Sequence, residues 1–121
     1  MPELPEVETT LKGISKGILH KKITSFVCRD RKLRWPIPAD MSSFLKNQSF
    51  ETAYRRGKYI ILNLANAKGS VLIHLGMSGK LRISKELNPP VKHEHWDINF
   101  TDGWTLRYTD IRKIGAMLKT S

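Results

Sequence analysis

Cysteine is nearly missing from this chain: among 121 residues only Cys28 is one. A single thiol excludes an internal disulfide framework and any four-cysteine zinc site within the chain. Such usage fits a reducing, cytoplasmic setting. Acidic residues are also scarce, 11 Asp and Glu against 21 Lys and Arg, which leaves a formal charge of +10. That surplus points to a polyanion, nucleic acid first and a charged membrane surface second, with a solvated basic face as the plain alternative. No apolar run approaches the ~20 residues of a membrane-spanning helix. The N-terminus lacks the basic-then-apolar pattern of a secretory signal. There is no internal repeat and no glycine-rich phosphate loop between a strand and a helix, so a dinucleotide-binding fold is disfavoured.

What is present suffices for one modest domain, residues 1–121, because 40% of the residues are hydrophobic. Leu4, Val7, Leu11 and Ile14 recur at helical spacing. Pro5 suits a first helical position, so the spacing predicts a helix from about Pro5 to Gly13–Lys16, with Gly17 as its C-cap. Residues 22–29 suit a strand, and Arg31-Lys32-Leu33-Arg34-Trp35-Pro36 is a basic loop or edge segment. Asp40 can cap a short helix whose Met41, Phe44 and Leu45 share a core-facing side. From Phe50 onward the chain reads as sheet: 50–56, 59–64, 71–75 with a continuation at 81–83 after a loop or bulge at 76–79, then 96–100 and 104–108. Asp102-Gly103 is a hairpin signal, and Trp96, Ile98 and Phe100 alternate with Asp97 and Asn99 as in a half-buried strand. The expected fold class is mainly β: an antiparallel β-sandwich of about eight strands with an N-terminal helix and a second short helix.

The chemistry begins at Met1-Pro2-Glu3-Leu4-Pro5-Glu6-Val7-Glu8. If Met1 is removed, Pro2 carries a free secondary amine beside the carboxylates of Glu3, Glu6 and Glu8. An α-amine has a reference pKa of about 8, so roughly a tenth is unprotonated at neutral pH, far more than for a lysine. Such an amine attacks an electrophilic carbon and forms a Schiff base with an aldehyde-like one. With Met1 retained, the same nitrogen is a tertiary amide and inert. The residues also admit an ordinary reading, since proline and glutamate suit the first turn of a helix.

Five stretches, in order along the whole chain, resemble the N-terminal domain of the Fpg/Nei family, specifically formamidopyrimidine-DNA glycosylase. They are Met1 to Thr9, Arg31 to Pro36, Arg55-Arg56-Gly57-Lys58-Tyr59, His74-Leu75-Gly76-Met77-Ser78-Gly79 and Arg107-Tyr108-Thr109-Asp110. The resemblance implies a bifunctional glycosylase and AP lyase of base-excision repair that removes oxidised purines from double-stranded damaged DNA by β,δ-elimination. By position, Pro2 is implied as the nucleophile, Glu3 as the acid/base residue, Glu6 as a second site carboxylate and Lys58 as a phosphate-binding lysine. Met77 and Arg112 are implied to enter the gap left by the flipped nucleotide, Arg112 facing the orphaned cytosine, and His74 to lie near the backbone-contact surface.

The sequence departs from the family at Ile111, usually Pro, and at Ile114, usually an aromatic that wedges the base stack. Members usually carry a helix–two-turn–helix element and one structural zinc in a C-terminal region beyond the stretch resembled here. The resemblance therefore implies no cofactor within these residues, a monomeric DNA-binding protein with no membrane role, and weak or no turnover by this stretch alone. The competing expectation is a non-catalytic homologue that keeps the fold and non-specific DNA binding.

Overall fold

The computed structural model describes residues 4–121. In chain order its elements are helix α1 (Leu4–Ile18), strand β1 (Ile23–Cys28), helix α2 (Met41–Leu45), and strands β2 (Phe50–Arg56) and β3 (Tyr59–Leu64). They continue with a short 3₁₀ turn (Ala65–Ala67), β4 (Ser70–His74), β5 (Lys80–Ser84), β6 (Glu94–Phe100), β7 (Thr105–Thr109) and β8 (Ala116–Thr120). The strands form two four-stranded antiparallel sheets, ordered β1-β6-β7-β5 and β2-β3-β4-β8. This is the mainly β sandwich that the alternation of the strands implies.

One hydrophobic core lies between the sheets. Ile60, Leu62, Val71, Ile73 and Met117 of one sheet face Trp96, Ile98, Leu106 and Tyr108 of the other, all buried. Helix α1 packs against β5, β2 and β3, and α2 packs against β1. The stripe Val7, Leu11, Ile14 and Ile18 is buried, and each such side chain contributes about 1.5–3 kcal/mol by leaving water.

Several local expectations need correction. Helix α1 runs to Ile18, and Gly17 lies inside it rather than capping it. A Cβ at Gly17 would stand 2.5 Å from Cγ1 of Ile83, so this glycine permits the close approach of α1 to β5. The left-handed residue beyond the helix is His20, at φ 63. Asp40 makes no side-chain cap on α2; its carboxylate pairs with Lys119 at 3.1 Å.

Strand β5 does not continue β4. Residues 75–79 carry the chain from one sheet to the other, and residues 110–115 carry it back from β7 to β8. Asp97 is buried, not solvent-facing. Arg107 donates to both its oxygens at 2.8 and 2.9 Å, and Arg29 adds a third bond at 2.9 Å. Burial alone would raise this carboxyl, but the two guanidinium groups outweigh it and hold it below its usual range.

Candidate functional site

The two crossovers between the sheets lie side by side at one end of the sandwich. Gly76, at φ +63, packs against the other loop so closely that a Cβ there would be 2.8 Å from the Gly115 nitrogen and 2.9 Å from the Ile114 carbonyl carbon. Only glycine combines that φ with that contact. At the tips, Met77 is 54% exposed and Ile111 is 64% exposed. Arg112 is exposed as well, and its Nη1 donates to Sδ of Met77 at 3.3 Å. Apolar and cationic side chains thus share one projecting ridge. Ile114 is half-buried in the same loop.

Beneath the ridge is Asp110, fully buried, at the end of a strand whose Tyr108 ring stacks on Trp96 at 5.4 Å. Its carboxylate accepts from Ser78 Oγ, Tyr108 OH, the Lys113 N–H and the Gly115 N–H, all within 3.0 Å. Burial pushes this carboxyl up, but those four donors outweigh burial and keep it ionised below the usual range. Burial and the bond to Asp110 drive the Tyr108 phenol far above its ordinary value, so it stays a neutral donor.

A cavity of about 350 Å³ opens beside Met77, lined by Glu6 and Thr10 of α1 and by Leu75, Ser78, Leu81 and Arg82. Glu6 is exposed on its rim. The first turns of α1 are tied to the β2–β3 hairpin by Glu8, which accepts from Arg55 Nε at 2.6 Å. That hairpin turns on Gly57 (φ 59) and Lys58, a two-residue connection of the type that places glycine first. Lys58 therefore projects from a rigid turn and is half-exposed.

His74 pairs across the sheet with Tyr59, their rings edge-on at 4.9 Å. Its Nδ1 accepts the Gly76 N–H at 2.9 Å. The neutral ring then carries its proton on Nε2, where it can donate outward. Burial, with the nearby charges of Arg34 and Lys58, lowers the His74 pKa below 6.5 and favours that neutral form. The basic loop at 31–36 joins the same end, for Arg34 N–H donates to Gly115 O at 3.0 Å and Lys113 pairs with Asp30 at 2.5 Å.

Of the residues singled out in the sequence, Glu6 and Met77 line one cavity, Met77 and Arg112 touch, and Lys58 and His74 are neighbours at the foot of the Met77 loop. Pro2 and Glu3 lie outside the described residues, immediately before Leu4. Sequence reasoning gave no role to Ser78, Tyr108 or Asp110, which build the platform under Met77 and Arg112. The signal available was modest: an acidic residue ending an alternating strand, between two glycine-containing loops. Among the described residues no three His, Cys, Asp or Glu side chains converge as metal ligands would, and no helix is long and apolar enough to cross a membrane.

Residues 1–117 match the family described as the formamidopyrimidine-DNA glycosylase N-terminal domain. The formamidopyrimidine-DNA glycosylase of Saccharophagus degradans is 51% identical over 121 residues, all of this chain and 44% of the relative. That of Cellvibrio japonicus is 52% identical over 118 residues, 98% of this chain and 43% of the relative. Among solved structures, Lactococcus lactis Fpg in complex with abasic-site DNA superposes at a TM-score of 0.88 with 30% identity, covering 99% of this chain and 44% of that one. The same protein with FAPY-dG-containing DNA superposes at 0.87 with 30% identity, covering 98% and 44%. The chain thus spans less than half the length of these relatives. With the match running from residue 1 to 117, the chain belongs to the formamidopyrimidine-DNA glycosylase family, through that family's N-terminal domain.

Proposed function

We propose that these residues are the catalytic part of a DNA glycosylase and AP lyase that removes oxidised purines, 8-oxoguanine and formamidopyrimidines, from double-stranded DNA. The observation that carries this reading is the Met77–Arg112 ridge standing over a cavity with a carboxylate, Glu6, on its rim. Extruding a nucleotide sacrifices a few kcal/mol of stacking and pairing, so a filler must enter the duplex and a pocket must receive the base. Met77 is unbranched and adapts to an irregular gap. Arg112 supplies N–H donors for the edge of the unpaired base, and Ile114 adds apolar volume.

Lys58 acts as a point charge on a phosphate beside the extruded nucleotide, and His74 donates from Nε2 to the same backbone. Once Met1 is removed, the Pro2 amine attacks C1′ of that nucleotide. The base departs as Glu3 moves protons, Glu3 then passes a proton to the ring oxygen O4′ as the C1′–O4′ bond opens to leave an iminium, and Glu6 holds a second carboxylate near the reacting sugar. The resulting iminium acidifies C2′. Loss of that proton expels the 3′ phosphate, and a second elimination releases the 5′ side. The protein acts as a monomer on DNA. That the related Lactococcus lactis protein was solved with abasic-site DNA and with FAPY-dG-containing DNA supports the choice of substrate.

Borohydride trapping on duplexes containing an abasic site or 8-oxoguanine tests the reading. The chain without Met1 is expected to form a covalent adduct, and the chain that retains Met1 none. Salt-dependent binding with no adduct from the processed chain overturns the catalytic reading and favours a non-catalytic DNA-binding homologue.

A further inference from the structure

Met77 and Arg112 sit on different crossovers, whose ends are paired at His74–Ala116 and Lys80–Thr109, but no ladder bond joins the residues between those ends. Strand pairing brings the loops side by side, and bonds between the loops themselves fix the tips against each other. Ser78 Oγ donates to Asp110 Oδ1 at 2.6 Å and accepts the Arg112 N–H at 3.1 Å. One hydroxyl thus links the residue beside Met77 to the start of the Arg112 loop and to the peptide of Arg112 itself.

The rest of the clasp is saturated. A carboxylate offers about four lone-pair sites, and Asp110 fills two on each oxygen: Ser78 and Lys113 on Oδ1, Tyr108 and Gly115 on Oδ2. The Asp110 backbone is fixed too, its N–H donating to His93 O at 2.9 Å and its carbonyl bonded to His95 Nε2 at 2.6 Å. Three buried glycines, Gly76, Gly79 and Gly115, leave no room for the loops to slide, since a Cβ at any of them would meet backbone or the Tyr108 hydroxyl at 2.8 Å or less.

We propose that Ser78 and Asp110 are positioning residues that couple the Met77 loop to the Arg112 loop, so that the two exposed side chains enter DNA as one unit. This rests on the reading of Met77 and Arg112 as gap-filling residues. Ser78 is the informative member, because it bridges the loops yet is only half-buried, so removing its hydroxyl spares the core.

The experiment has two arms, both on the 121-residue chain. In the first, without DNA, the Met77 methyl signal is followed by NMR with labelled methionine methyls. R112A is expected to shift that signal in the otherwise unaltered chain. In the S78A background the signal moves or broadens, and the response to R112A falls by at least half. An unchanged Met77 signal with an undiminished response to R112A overturns the proposal, whatever S78A does to Tm. The second arm measures affinity for an abasic-site duplex for M77A, R112A and the double variant. Their effects are expected to be coupled several-fold with Ser78 present and to multiply independently in the S78A background. Coupling that survives S78A also overturns the proposal. Failure of the unaltered chain to bind the duplex counts against the functional reading alone, and the methyl spectra still decide the clasp.

Discussion

The guanidinium of Arg112 rests on the sulfur of Met77 at 3.3 Å, though 35 residues separate them in sequence. Both side chains point away from the core, so neither stabilises the fold through burial. R112A and M77A are accordingly expected to shift unfolding by no more than about 0.5 kcal/mol, the usual range for exposed positions. Each is expected to weaken binding to an abasic-site duplex by roughly tenfold, about 1.4 kcal/mol. Denaturant melts and titrations at fixed salt check both numbers. A large loss of stability with unchanged affinity would reassign the pair to the fold.

His74 gives a pH prediction with a definite sign. Burial and the neighbouring Arg34 and Lys58 lower its folded pKa below 6.5. The folded state therefore binds fewer protons than the unfolded state around that pH, and stability falls as pH drops through about 6.5. Imidazole NMR titration is expected to give a His74 midpoint below 6.5. Addition of duplex DNA is expected to raise that midpoint, because a phosphate near Nε2 favours the imidazolium. A free-protein midpoint above 6.5 contradicts the environment described here.

Ile114 stands half-buried in the loop beside Arg112, where a flat ring could stack on a base and a branched aliphatic cannot. Base–aromatic stacking is worth roughly 1–3 kcal/mol. Ile114→Phe is expected to tighten binding to damaged duplex by about 1 kcal/mol, the lower end of that range. Affinity equal to or below that of the unaltered chain would place Ile114 away from the base stack.

Strands were legible wherever one face alternated or an apolar run was bounded by turn residues. The spans 50–56 and 59–64 are those observed. Strand β8 has no counterpart in the sequence reading, because Ala116-Met117-Leu118-Lys119-Thr120 shows no alternation and only Gly115 marks its start. Residues 76–79 read as a loop or bulge within one continuing strand, since the change of sheet is fixed by pairing with β7, far along the chain. Asp97 looked solvent-facing for the same kind of reason: its partners Arg107 and Arg29 come from neighbouring strands or their ends. At the site, the resemblance singles out Lys58, His74, Met77 and Arg112, which lie at one end of the sandwich, whereas the bridging position of Ser78 depends on a hydrogen bond across 34 residues.

Two glycines in α1 give opposite expectations for one substitution. At Gly13 a Cβ would meet nothing within 4 Å. Gly13→Ala is therefore expected to stabilise the chain by about 0.5–1 kcal/mol through helix propensity and a less flexible unfolded state. At Gly17 the Cβ would collide with Ile83 Cγ1. Gly17→Ala is expected to destabilise by about 1–3 kcal/mol, as overpacking does, and Ile83→Ala in the same chain to relieve part of that loss. Urea melts of the three variants decide it, and equal effects at the two glycines would refute the close packing of α1 on β5.

The Asp97–Arg107 pair is the tighter of two buried ion pairs that Arg107 makes in the sheet β1-β6-β7-β5, with side chains 9% and 6% exposed; the other is to Glu94 at 3.5 Å. Asp97→Asn keeps the shape but removes the charge that Arg107 and Arg29 face, leaving Arg107 with Glu94 at 3.5 Å and the Asn88 carbonyl at 2.7 Å. Stranding one partner of a buried pair costs about 3–5 kcal/mol, and with Glu94 still beside Arg107 the loss is expected at the lower end, about 3 kcal/mol. Against a total stability of about 5–15 kcal/mol, that loss leaves the domain marginal at neutral pH. The folded pKa of Asp97 lies below 3.8, so its contribution is fully present above that value and is lost as pH falls through the folded pKa. Asp97→Asn has no such group to protonate. Urea unfolding at pH 7 is expected to separate the variant from the unaltered chain by those several kcal/mol, and the gap is expected to narrow as pH falls below about 3.8. A gap that stays constant down to pH 2 would mean that Asp97 stabilises the sheet by its shape and not by its charge.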